Sequence, residues 1–232
     1  EAFSAADTLV VELDPSAIPR TEQVKIVRRF SMLPSGEKLS DRVSEEQMQE
    51  IMDVVRPMGV PRSVVDRWKP WYAGFTLIGL SAQQAGFSPE HGVERTLLQR
   101  AKSSGMEIAE LESFTEQMKL FDGLSSSEGA YFLEDALSEQ DQVTELFEEL
   151  KRYWLNENLQ GLAELLAESQ EENPSFYETM YIERNRAWAD ELETLTQEEA
   201  GTYFVAVGTA HLVGESNLPE LLRGRGYSVS RR

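Results

Sequence analysis

Short strand-like apolar runs alternate with long stretches of helical periodicity, and that order predicts an α/β protein: a central mixed sheet carrying a large helical subdomain. Three observations predict it. Thr8-Leu-Val-Val-Glu-Leu13 is dense in β-branched and apolar residues and stops at Asp14-Pro15, as an interior strand does. A helix over Arg95 to Ser103 is followed by a strand over Met106 to Leu111, with Gly105 as the C-cap between them. Tyr203 to Val207 reads as a buried strand that gives way to Gly208-Thr-Ala-His211.

Along the chain, Glu1 to Ala6 looks like the last turns of a helix that leads at once into the first strand. That start, without Met or a signal-peptide pattern, predicts that upstream residues are missing from the sequence. A helix is expected within the polar stretch from Glu22 to Phe30. Ser44-Glu-Glu-Gln47 is a capping box that starts another, which should end near Met58-Gly59. Pro61 and Ser63 open a short helix through Trp68. Ala73 to Leu80 fits a strand or a buried helix, with helix favoured by Leu77-Ile78 and Leu80-Ser-Ala82.

From about 115 to 200 the chain is predicted almost wholly helical. Phe132, Leu133, Ala136 and Leu137 recur at helical spacing, as do Leu159, Leu162, Leu165 and Leu166, with acidic residues between them. Asn173-Pro-Ser175 interrupts, and a further helix runs to about Leu195. After His211, Leu218 to Arg223 reads as a short helix and Tyr227-Ser-Val-Ser230 as a last strand.

Composition excludes several chemistries. The 232 residues contain no cysteine, so disulfides, thiolate catalysis, zinc fingers and iron–sulfur clusters are ruled out. A net charge of −19, from 41 acidic and 22 basic residues, repels nucleic acid and anionic membrane surfaces. The bland reading of that charge is a solvated acidic surface. No apolar run approaches the roughly 20 residues a membrane-spanning helix needs.

The candidate site residues follow from position. His211, one of two histidines, sits where a strand turns at its carboxyl end, the place where ligands bind in α/β sheets. It is either a hydrogen-bonded structural histidine or a proton shuttle or metal ligand. Gly208 lets the backbone turn and approach a ligand closely. Glu12 lies on a buried strand, and a buried carboxylate meets a cation, a metal or a hydrogen-bond donor, or else holds a raised pKa. Asp14 shares its face if the strand persists. Glu110 and Glu112 share a face at the end of another strand. Arg184 falls on an aromatic stripe of Tyr177, Tyr181 and Trp188, beside Asn185. On the core side it needs an anion; otherwise its guanidinium reaches the edge.

These pieces resemble one family. Thr8-Leu-Val-Val-Glu-Leu-Asp14, Gly92-Val-Glu94, Ala109-Glu-Leu-Glu112, Glu183-Arg-Asn185, Phe204-Val-Ala-Val-Gly208-Thr-Ala-His211-Leu-Val-Gly214 and Leu218-Pro-Glu-Leu-Leu-Arg-Gly-Arg-Gly-Tyr227 are similar to TraB/GumN proteins. The resemblance implies one domain over 1–232, truncated at its N-terminus, with the erythromycin-esterase/ChaN-like fold and a helical insertion at about 115–200. It also implies kinship with the Tiki metalloproteases, which use two Gly-x-x-His motifs and a glutamate. On that pattern Glu12 is the glutamate and Gly208/His211 the second motif, with Glu94, Glu112, Arg184 and Asn185 at other polar positions. The first motif would lie upstream, and His91 does not replace it, because no Gly stands three residues before it.

The expected activity is therefore a metal-dependent hydrolase, a Tiki-like peptidase in its complete form and impaired in this chain. Glu12 and His211 would ligate Mn, Co or Zn, and Glu112 or Glu94 would act as base. Arg184 would hold Glu12 or stabilise the oxyanion. The alternatives are a non-catalytic module that binds a peptide or small ligand, and metal-free hydrolysis in which histidine and glutamate activate water. The resemblance further implies an exported bacterial protein, periplasmic or at the cell surface. A lost first strand would leave an edge paired by a second copy or by the missing segment.

Overall fold

The computed structural model describes residues 1–138, 140–198 and 200–230. Glu139 and Glu199, within the expected helical stretch, lie outside the described residues. In chain order the main elements are β1 (Thr8–Val11), α1 (Arg20–Ser31), α2 (Glu45–Val55), α3 (Arg62–Val65), α4 (Pro70–Gln84), α5 (Val93–Ser104), β2 (Glu107–Glu110), α6 (Phe114–Asp122), α7 (Ser126–Ser138), α8 (Gln140–Leu155), α9 (Leu159–Glu172), α10 (Pro174–Tyr177), a π-helical turn (Glu178–Ile182), α11 (Glu183–Glu198), β3 (Tyr203–Ala206) and α12 (Leu218–Gly224). Ala73 to Leu80 is helix, inside α4. Among the described residues no helix is long and apolar enough to cross a membrane.

The chain folds as two compact units: Glu1–Ala17 with Pro89–Glu116 and Tyr153–Arg232, and Ile18–Ser88 with Gln117–Arg152. The second unit is helical. Its core joins Met48, Ile51, Met52 and Val55 of α2 to Ala73 and Leu77 of α4 and Leu133 and Ala136 of α7. Gly74 allows α4 and α7 to approach closely, since a Cβ there would lie 2.9 Å from the Phe132 carbonyl oxygen. The capping box starts α2 as the sequence predicts, with Ser44 accepting from the Gln47 N–H and Gln47 accepting from the Ser44 N–H.

The first unit holds the sheet, ordered β2-β1-β3. Its three strands run parallel, where a mixed sheet was expected, because a helical crossover separates each from the next. All four residues of β1 are buried, which is why that strand reads as apolar on both faces. Leu9 and Val11 pack with Phe3, Leu98 and Ala101 on one face. Val10 packs with Trp188, Ala189, Leu192 and Leu218 on the other. The period of two in β1 thus seats α5 on one face and α11 and α12 on the opposite one. Burial of each such side chain stabilises the layer by about 1.5–3 kcal/mol.

Two expectations are corrected. Tyr227 to Ser230 is not a strand. The Tyr227 N–H closes α12 on the Leu222 carbonyl, and its hydroxyl shares a 2.8 Å hydrogen bond with Thr196 of α11, so the segment is committed to helix ends. The strands are also shorter than predicted: β1 bends at Glu12 and β2 bends at Leu111 and Glu112. Alternation then stops governing where the following carboxylates point.

Candidate functional site

In a parallel sheet the carboxyl ends of all strands gather along one edge. Here Val11 pairs with Glu110 and Ala206, so along that edge Glu12 stands one residue beyond its strand and Glu112 and Gly208 two residues beyond theirs. The ladder carries on briefly past the strands: the Glu112 N–H donates to the Glu12 carbonyl at 2.9 Å. Glu12, at the bend that ends β1, emerges on the side covered by α11, as its pairing with Arg184 shows.

Arg184, in the first turn of α11, meets it there. Its Nε and Nη2 clamp Glu112 at 3.1 and 2.7 Å, and Nη2 also donates to Glu12 Oε2 at 3.1 Å. Nη1 donates to the Met180 carbonyl at 3.0 Å and meets His211 Nε2 at 3.2 Å. A guanidinium has five N–H donors, and all five are engaged. The guanidinium lies 4.4 Å over the Trp188 ring, a cation–π contact. Arg184 is thus paired in the core and does not reach for solvent. The acceptor carbonyl of Met180 belongs to the π-helical turn that precedes α11. Such turns are frequent at functional sites.

His211 is 3% exposed, between Trp188 at 4.3 Å and Tyr181 at 5.6 Å, ring centre to ring centre. Its tautomer follows from its neighbours. Asn185 Nδ2 donates to the Ser216 carbonyl at 3.0 Å, which turns Asn185 Oδ1 toward His211 Nδ1 at 2.7 Å. Nδ1 therefore carries the proton, and Nε2 presents its lone pair to Arg184. Burial, reinforced by the Arg184 charge, pushes the imidazole down to about 3, so it is neutral. The Gly208 N–H donates to Glu12 Oε1 at 2.6 Å, and the His211 N–H to the Gly208 carbonyl at 2.9 Å. A Cβ on Gly208 would lie 3.2 Å from Glu12 Oε1 and 3.7 Å from His211 Cδ2, so the absent side chain is what lets the three meet.

Glu94, in the first turn of α5, lies within electrostatic reach of Glu12 and Asp14. Burial first, and then those two negative charges, push its carboxyl up to about 7. The residue is nonetheless exposed by area, so water screens part of the shift. Among the described residues its carboxyl makes no hydrogen bond or ion pair.

The structure thus brings Glu12, Glu112, Arg184, Asn185, Gly208 and His211 together. Asp14 and Glu110 go elsewhere. Asp14 accepts from Ser16 and pairs with Lys102 of α5 at 2.6 Å. Burial raises its carboxyl, but those hydrogen bonds outweigh burial and hold it below the usual range. Glu110 accepts the Asp14 N–H, so the bend after β2 separates it from Glu112. His91 is exposed in a 3-10 turn. The sequence reading missed the Met180 and Ser216 carbonyls; backbone acceptors leave no trace in side-chain pattern.

The expected metal can be tested against this donor set. Among the described residues no three His, Cys, Asp or Glu side chains are grouped to hold an ion. Arg184 already faces His211 Nε2 and both carboxylates. As arranged, these residues do not fit a divalent ion.

A parallel sheet whose strand ends converge on an arginine-bridged pair of glutamates and a neutral histidine defines an α/β protein with a polar centre at its strand termini. The chain belongs to the TraB/PrgY/gumN family, whose model matches residues 1–231. It is 33% identical over 218 residues to "Uncharacterized protein YbaP" of Escherichia coli (strain K12), covering 94% of this chain and 77% of that protein. The same figures hold for YbaP of Shigella flexneri. No solved structure matches significantly.

Proposed function

We propose that this centre hydrolyses an acyl bond, with a peptide or another small acyl compound as substrate. The observation that carries the reading is Glu94: a carboxyl with no hydrogen-bonding partner among the described residues, raised toward neutrality beside Glu12. A base poised near 7 is suited to take a proton from water. In this reading Glu94 accepts that proton as the water oxygen attacks the carbonyl carbon. It then returns the proton to the leaving nitrogen as the C–N bond breaks. His211 is too weak a base for this step, and Arg184 has no N–H left for an oxyanion. Their part is to hold Glu12 and the His211 loop in place. The metal-dependent form, with Mn, Co or Zn on Glu12 and His211, would require the guanidinium to withdraw.

A second reading has its own support. A fully paired Arg184 also suits a module that binds a peptide without cleaving it. Incubation with internally quenched peptides, with chelator and separately with added Mn, Co or Zn, distinguishes the two. The hydrolase reading predicts turnover that rises through about pH 7 and falls by ~10²–10⁴ in Glu94→Gln. Saturable peptide binding without turnover under every condition would replace it with the binding module.

A further inference from the structure

The charge pattern around Arg184 points beyond catalysis to which cation this chain can hold. Glu12 and Glu112 keep only 18% and 10% of their side-chain surface exposed. Two carboxylates so placed need a cation between them. His211 Nε2 adds a neutral nitrogen lone pair, so the donor types alone are ones a divalent transition metal accepts, though among the described residues no three such side chains are grouped to hold an ion. Yet the space these three groups face contains the Arg184 guanidinium, which contacts all three at 2.7 to 3.2 Å. The Met180 carbonyl and the Trp188 ring fix it there from its remaining sides. Its five N–H groups fit acceptors on three strand ends and one helix, so the fit is made for this planar cation.

We infer that in this chain Arg184 is the resident cation of the centre, and that its guanidinium and a divalent ion occupy the Glu12–Glu112–His211 position exclusively of one another. The reason is charge and space together. An ion entering beside the guanidinium would meet its positive charge at contact distance. An ion replacing it must break five hydrogen bonds and expel Arg184 from a pocket in which it is 9% exposed. Removing the guanidinium takes that opposing positive charge away.

The test reads binding, so it does not depend on the hydrolase reading. The chain is titrated with Mn or Co by calorimetry, as wild type and as Arg184→Gln and Arg184→Met, with Co absorption as a second readout. The inference predicts binding at least tenfold tighter in a folded Arg184 variant than in wild type, abolished by adding His211→Gln. It is overturned if wild type binds tightly and loses binding in His211→Gln, or if the variants bind no better than wild type. Should neither Arg184 variant fold, the wild-type Arg184 Nε–H resonance decides the matter. Saturating Zn leaves it unmoved if the inference holds and shifts it if an ion enters the centre.

Discussion

Arg184 Nη1 donates to His211 Nε2 at 3.2 Å. A cation can sit that close to an imidazole only if the imidazole is neutral and turned to accept. Asn185, one residue further along α11, meets that condition by accepting a hydrogen bond from the Nδ1–H. Neighbours on a helix do not face each other, yet here both bind one ring: Arg184 reaches one nitrogen and Asn185 the other.

Replacing Arg184 by Ala removes the cation that pairs with the partly buried Glu12 and Glu112. The expected loss is about 3–5 kcal/mol at neutral pH. Urea denaturation checks it. Arg184→Lys, which keeps the charge, should restore part of it; an equal loss in both variants would mean the flat contact over Trp188, not charge, is what Arg184 supplies.

The pH dependence of stability has two components of opposite sign. His211 is ordinarily near 6.5 and is held down to about 3 in the fold. Between those values the unfolded chain binds more protons, so stability falls as pH drops through the window, by at most about 1.4 kcal/mol per pH unit. Glu94 is raised from 4.5 to about 7, so its contribution is lost as pH rises through that range. Denaturation midpoints across pH 4 to 7 should lose most of the acid-limb slope in His211→Gln, and steepen in Glu94→Gln. An unchanged slope in the first variant would show that His211 is not buried neutral.

Two glycines of the loop should respond differently to alanine. Gly214 has φ +79°, and a Cβ there would lie 2.8 Å from the Tyr177 hydroxyl. Strain and clash together predict a loss of about 1–3 kcal/mol. Gly208 has φ −56°, and its Cβ meets the movable Glu12 carboxylate at 3.2 Å. Gly208→Ala should therefore cost less stability but tilt Glu12 away from the Gly208 N–H. Thermal midpoints test the order; a larger drop for Gly208→Ala would contradict it.

Asn185→Leu removes the acceptor for the Nδ1 proton while keeping much of the volume. It leaves the Ser216 carbonyl and His211 Nδ1 unpaired, at about 1–3 kcal/mol for each buried group. Asn185→Asp keeps an acceptor and should rescue part of that loss. Equal destabilisation by both would mean the hydrogen bond to His211 contributes little.

Much of this could be read from residue order. Leu9, Val10 and Val11 announce a strand buried on both faces, and the Tyr177, Tyr181, Arg184 and Trp188 stripe announces the face of α11 that carries the centre. The TraB/GumN resemblance named Glu12, Glu112, Asn185 and His211 as polar positions, and they do converge. Arg184 holding Glu12 was one of two expectations for that arginine; its clamp on Glu112 and the pairing of Asn185 with His211 were not legible, because they depend on contacts 72 and 26 residues apart. The separation of Glu110 from Glu112 was also hidden, since a bend after β2 ends the alternation that pattern reading assumes. The π-helical turn before Arg184 has no periodic signature at all.

The central claim is that His211 is a neutral, Nδ1-protonated acceptor for Arg184, and ¹⁵N chemical shifts of its ring nitrogens measured from pH 8 to pH 4 test it most directly. The account predicts a protonated Nδ1, an unprotonated Nε2 and no titration across that range. A ring that titrates near 6.5, or that carries its proton on Nε2, would contradict it.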